Sequence, residues 1–233
     1  MSLSIFTKDF WSSIAPYTAP PLAASIAIIP VFGDMIAKSA EQLGKPIPSM
    51  TLLQTIKQGM KAAPSVGAIV GAQMVIQNKV EKALLGGSKK PKLSSTLLSS
   101  AIVGIGSAPI LAVFNGQTMG RSALESLRKF SLKQGLVITA QETAFVIGLS
   151  AADLLSEKMR ESFGDTKATD YTAAYIAGAL GSLAGHPANT ALTRWQANLA
   201  IDRPSQLMWG AARKARAVGY FACLYKLGKE ILE

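Results

Sequence analysis

The residues able to carry chemistry in this chain are few, and most are charged or amide groups set inside apolar stretches. Gln141 and Glu142 interrupt GLVITAQETAFVIGL, Lys61 stands in KQGMKAAPSVGAIVGA, and Arg213, Lys214 and Arg216 cluster in WGAARKARAVGYFA. Ionisable groups at such depth are costly and usually face a cavity. The three cations would suit an anion such as a nucleotide or a carboxylate. Placed at a membrane boundary, the same side chains would instead reach toward phosphates. Gln141 and Glu142, in mid-stretch, read better as cavity-facing than as surface groups. Enzyme chemistry finds little support. There is no Gly-rich phosphate loop followed by Lys-Ser or Lys-Thr, and no nucleophile set beside a base. The chain has one Cys, Cys223, and one His, His186, so neither a disulfide framework nor a metal cluster is expected, and no cofactor. His186, just before Pro187, reads as a hydrogen-bonded packing histidine.

The elements that must position these groups repeat. Pro30 (AIIPVFGDMIAKS), Pro109 (GSAPILAVFNGQTMG) and Pro187 (AGHPANTALTRWQAN) each sit late in an apolar stretch, 79 and 78 residues apart. A second landmark keeps nearly the same period: KQGMKAA at Gly59, KQGLVIT at Gly135 and MWGAARK at Gly210, 76 and 75 residues apart. Two independent landmarks at one period argue for three copies of one unit. The unit reads as a helix with a late proline, a short basic connection, and a second helix that begins after the glycine.

Composition sets the surroundings. Hydrophobic residues make up 49% of the 233 residues, charged ones 16%, and mean hydropathy is +0.28. That is apolar for a soluble domain, although no stretch is a clean run of about 20 apolar residues. Small residues recur, with Gly67-x-x-x-Gly71 and Gly181-x-x-x-Gly185 at the spacing that lets helices approach closely in lipid. The net charge of +10 would point to nucleic acid if it formed one patch with interleaved aromatics, which it does not, so no nucleic-acid partner is expected. The basic residues sort by connection instead. The three connections within repeats (38–61, 121–133, 194–203) carry ten Lys or Arg against three acids, and the two between repeats (79–92, 153–170) carry eight against six. In a six-helix arrangement these sets lie on opposite membrane sides, which is an orientation signal. MSLSIFTKDFW reads neither as a secretory signal nor as an Arg-rich transit segment.

Three tandem helix pairs with proline in each odd helix, and the order Pro-x-acid-x-x-base-x-base-x-Gln, resemble the mitochondrial carrier family. In the third repeat the pattern runs Pro187, Asn189 for the acid, Leu192 for the first base, Arg194 for the second and Gln196. Repeat one carries Phe32, Met35, Ala37 and Ser39 at the corresponding places, and repeat two carries Leu111, Phe114, Gly116 and Thr118. The C-terminal stretch, with Tyr225, Lys226 and Lys229, is similar to a carrier's last helix. The resemblance implies an all-α membrane protein: one domain over 1–233, with six transmembrane helices in three pseudo-symmetric repeats at about 10–88, 89–168 and 169–233. It implies exchange of a small anionic metabolite, nucleotide or carboxylate, by alternating access. It also implies a monomer in a mitochondrial membrane, inner rather than outer, with anionic lipid such as cardiolipin as a partner.

By the same resemblance, odd-helix charges close the cavity on the matrix side, where this chain offers only Asn189, Arg194 and Gln196 in register and Asp34, Lys38, Asn115 and Gln117 offset. The opposite gate would use Asp153, Tyr225 and Lys229, with Asn78 and Lys79 nearest in repeat one, and Asp153–Lys229 as the expected pair. The substrate levels of the even helices fall at Lys61, Gln141 and Lys214, flanked by Glu142, Arg213 and Arg216. Loss of two of the three gate motifs supports an alternative: a carrier-fold scaffold, insertase or interaction protein of the outer mitochondrial membrane without transport.

The expected helices run over 11–42 (kinked at Pro30), 60–85, 93–120, 136–162, 171–199 and 205–232. An amphipathic segment at 123–134, with Leu124, Leu127 and Phe130 on one face, would lie along the membrane surface.

Overall fold

The fold is that of a computed structural model, which describes residues 3–85 and 93–232; of these, the side chains of 3–13, 74, 77–79, 81–82, 84–85, 93–97 and 146–154 are not described. Among the described residues there is helix and no strand. The elements are α1 (Leu3–Gln42), α2 (Leu52–Leu85), α3 (Leu93–Thr118), α4 (Ala123–Arg128), α5 (Leu132–Phe163), α6 (Lys167–Ala184), α7 (His186–Gln196), a 3-10 turn (Pro204–Met208) and α8 (Ala211–Leu232). The long helices pack in chain order around a closed ring: α1 on α2, α2 on α3, α3 on α5, α5 on α6, α6 on α8, and α8 back on α1. α7 continues the line of α6 and also packs on α5.

Four boundaries differ from the sequence reading. α2 begins at Leu52, because Thr51 and Gln54 form a reciprocal cap: the Gln54 amide donates to Thr51 Oγ1 at 3.2 Å and the Thr51 amide to Gln54 Oε1 at 2.9 Å. Gly59 therefore lies inside α2, and Gly135 inside α5; only Gly210, at φ +78°, precedes its helix. The expected helix over 171–199 is two helices meeting at Gly185, since Pro187 has no amide to continue the upstream ladder but fits the first turn of α7. The last stretch breaks at Gly210 into the 3-10 turn and α8. α1, by contrast, runs through Pro16, Pro20, Pro21 and Pro30 as one helix.

Glycine sets the closest approaches. An added Cβ at Gly59 would come within 2.5 Å of the Ile29 carbonyl oxygen on α1, and one at Gly178 within 2.7 Å of the Val218 carbonyl oxygen on α8. The core around Ile28, Phe32, Met35, Val66 and Ala217 joins α1, α2 and α8. A smaller cluster of Ala108, Ala112, Ile138 and Leu192 joins α3, α5 and α7.

Polarity runs inside out. Lys38, Gln42, Ser107, Asn115, Thr190, Thr193, Gln196 and Lys214 are buried, while Leu22 and Ile26 on α1, Leu98, Ile102 and Ile105 on α3, and Tyr220, Leu227 and Ile231 on α8 face outward. On α1 and α3 these outward residues recur every three or four positions, one stripe on each helix. Among the described residues, two helices are long and apolar enough to cross a membrane, Ile14–Gln42 and Leu98–Thr118.

Candidate functional site

The ring encloses a cavity of about 210 Å³ to which every long helix contributes. α1 gives Met35 and Lys38, α2 gives Val70 and Gln73, and α3 gives Phe114 and Asn115. α5 gives Gln141, Glu142 and Phe145, α6 and α7 give Ser182 and Asn189, and α8 gives Lys214 and Phe221. The wall is mostly apolar and aromatic, with a few converging polar groups, the usual make-up of a small-molecule site.

At one end the cavity is closed by a layer in which α1, α3 and α7 meet. Lys38 Nζ donates to Asn189 Oδ1 at 3.0 Å, and Gln42 Nε2 donates to the same oxygen at 3.2 Å and to Thr190 Oγ1 at 2.8 Å. Asn189 Nδ2 donates to Asn115 Oδ1 at 3.3 Å, and Asn115 Nδ2 donates to Gln196 Oε1 at 2.7 Å. Gln196 Nε2 then reaches the Ala112 carbonyl at 3.2 Å. Ser39 and Thr118, 79 residues apart and both nine residues past their prolines, share a hydrogen bond of 2.6 Å. Lys38 is the only charge hydrogen-bonded into this amide and hydroxyl layer among the described residues. A net hydrogen bond contributes about 0.5–1.5 kcal/mol, whereas a buried group stripped of its partner costs about 1–3 kcal/mol. The layer holds because nearly all of its members are satisfied.

Arg194, expected as a gate base, points elsewhere. Its guanidinium donates to the Gln42 carbonyl at 3.0 Å and twice to the Ala200 carbonyl at 2.9 and 2.7 Å, and lies 5.7 Å from the centre of the Trp209 ring. It ties the carbonyl end of α7 to the carbonyl end of α1, where helices leave acceptors unmatched. His186 is fully buried and donates from Nε2 to the Trp209 carbonyl at 2.9 Å, a packing role.

The cationic cluster of α8 resolves into one cavity cation. Arg213 is paired with Glu41, and Arg216 with Asp34 at 2.5 Å, both acids lying on α1 outside the cavity. Lys214 alone turns inward. It is 8% exposed, and among the described residues its ammonium has neither a hydrogen bond nor a carboxylate within ion-pair distance. Glu142 shares the cavity and is close enough to feel its charge without touching it. Glu142 is held by Gln73 Nε2 on α2 at 3.0 Å and by Gln141 Nε2 at 3.3 Å. Gln141 Oε1 is buried and accepts nothing.

Other expected residues fall outside this group. Lys61 is exposed on α2 and lines no part of the cavity. Pro30 is exposed, and Pro109 and Pro187 are half-buried; none of the three lines the cavity. Tyr225 stacks on Phe221 with ring centres 6.1 Å apart, and Lys229 is half-buried on α8. The side chain of Asp153 lies outside the described residues, as do those of Asn78 and Lys79, so the expected Asp153–Lys229 pair falls there too. At the α5–α6 connection, Asp170 joins Arg160 at 2.6 Å and Lys226 at 3.2 Å. The Arg160 hydrogen bond, then that of Lys226, holds the Asp170 carboxyl below the usual carboxylate range.

Sequence reasoning passed over Gln73, Phe114, Phe145 and Phe221, and weighed Lys38 and Asn115 only as offset candidates. Gln73 carried a signal, a lone amide in GAIVGAQMVI. No family model matches the chain, and no curated protein matches it.

Proposed function

We propose that the chain is a membrane transporter of the mitochondrial carrier type, with six spanning helices in three pseudo-symmetric pairs. It moves a small carboxylate-bearing metabolite through the central cavity by alternating access, in exchange for another, in a mitochondrial membrane and by preference the inner one. The observation that carries this reading is Lys214: a buried ammonium aimed into a six-helix cavity, with no hydrogen bond and no carboxylate in contact among the described residues, Glu142 acting on it only at a distance. An uncompensated buried charge costs several kcal/mol, and a bound anion offsets that cost. Three features support the surrounding architecture. The helix ring closes in chain order, Ser39 meets Thr118 at the repeat period, and the outer stripes are apolar over a polar interior. The cavity also argues between the two anions considered, because a nucleotide's phosphates bring several negative charges where Lys214 stands beside a carboxylate, Glu142, whereas a carboxylate brings one.

The test is uptake of labelled mono- and dicarboxylates into liposomes holding the purified protein, with Lys214→Met beside it. Uptake by the native chain and none by the variant is expected. A folded protein that neither takes up nor is stabilised by any carboxylate would move the reading to the carrier-fold scaffold, whose motivating observation is the closing layer with a single cation.

A further inference from the structure

The transport reading needs only an anion anchor, but the cavity holds a second, opposite feature. Resting on that reading, we infer that the substrate is a zwitterion: a small α-amino carboxylate with an apolar side chain.

Donors gather at one part of the cavity. Lys214 supplies three N–H donors with no acceptor taken, and Lys38, 3% exposed, has one of its three spent on Asn189. Acceptors gather on α5. Each Glu142 oxygen receives a single hydrogen bond, which leaves lone pairs free. A bare carboxylate would answer Lys214 but bring a second negative charge into the small space that already holds Glu142. Like charges confined together in a medium of low dielectric repel strongly. An ammonium carried on the same molecule removes that conflict and answers Glu142.

The remaining wall sets the third group. Phe114, Phe145, Phe221, Ile69 and Val70 offer only apolar surface. Carboxylate, ammonium and apolar body together match an apolar amino acid.

The experiment separates this inference from the reading beneath it. The detergent-purified native chain is titrated in thermal-unfolding assays with L-leucine, 4-methylpentanoate (the same skeleton without the amine) and 3-methylbutylamine (without the carboxylate). L-Phenylalanine, 3-phenylpropanoate and 2-phenylethylamine form a second triad. A ligand of the folded state raises the melting temperature by mass action. In at least one triad the amino acid should bind at least tenfold more tightly than either fragment. In Glu142→Gln, which keeps shape and hydrogen bonding but not charge, the amino acid should fall to the level of its deaminated acid. If the acids bind the native chain as tightly as the amino acids, the zwitterion inference is overturned and the carboxylate reading stands. If a well-folded preparation responds to none of the six, the zwitterion inference falls by itself, and the carboxylate reading stands or falls with the uptake of labelled mono- and dicarboxylates.

Discussion

The molecule has two inward-facing polar regions, and they differ in how fully their groups are paired. In the closing layer of α1, α3 and α7, Lys38, Gln42, Asn115, Asn189 and Gln196 hold one another. In the cavity beside it, Lys214 has no hydrogen bond from its ammonium among the described residues, and each Glu142 oxygen accepts only one. The layer is buried and nearly saturated, Gln42 Oε1 being its unpartnered atom, whereas Gln141 and Glu142 are half-buried and the Lys214 ammonium is unbonded among the described residues. A saturated buried polar layer rigidifies a closed end; an unsaturated one costs stability until something enters. The comparison also separates the two lysines. Lys38 is held by an amide of the layer, Lys214 by no hydrogen bond from its ammonium among the described residues.

The sharpest way to break this comparison is Asn189→Ala. It removes three hydrogen bonds at once and leaves the Lys38 ammonium buried without an acceptor. We expect a loss of about 3 kcal/mol or more, read as a fall in the melting temperature of the detergent-solubilised protein. Gly178→Ala comes next. Its new methyl group meets the Val218 backbone, which cannot swing aside, and overpacking should cost about 1–3 kcal/mol and loosen α6 from α8. Lys214→Met should act in the opposite sense: the unliganded melting temperature is unchanged or higher, because a buried ammonium without a hydrogen bond has gone and its attraction to Glu142 acts only at a distance.

The smallest effect is expected outside the helix core, at Asp170. Its carboxyl titrates below the ordinary range in the folded chain, so the stability it adds is present above the unfolded-state value and is lost as pH falls through the folded one. Asp170→Asn should therefore lower the melting temperature slightly at neutral pH and flatten its decline in acid. High salt should reduce the difference, since these side chains are exposed.

Much of this arrangement was legible in the sequence, and the failures have identifiable causes. The helical segments followed from apolar stretches bounded by glycine and proline, and Glu142, Gln141 and Lys214 stood out as polar groups in apolar surroundings. Arg213 and Arg216 looked identical to Lys214 in that respect. What separates them is Glu41 and Asp34, which lie 172 and 182 residues upstream and reach α8 only because the ring closes. No local pattern carries that information. Lys38 was similarly ambiguous, because its acceptor, Asn189, is 151 residues away. The break at Gly185 was legible in Gly-His-Pro, but the apolar pattern on both sides concealed it. The cap at Thr51 was also available as Thr-x-x-Gln and would have placed Gly59 inside its helix.

The measurement that bears most directly on the central claim is a paired melt of the native chain and Lys214→Met, each with and without saturating small carboxylates and apolar amino acids. The account predicts a ligand-dependent rise for the native chain, no rise for the variant, and an unliganded variant at least as stable as the native chain. A variant that melts lower without ligand yet keeps the full ligand response would show that Lys214 holds the fold and does not anchor the substrate.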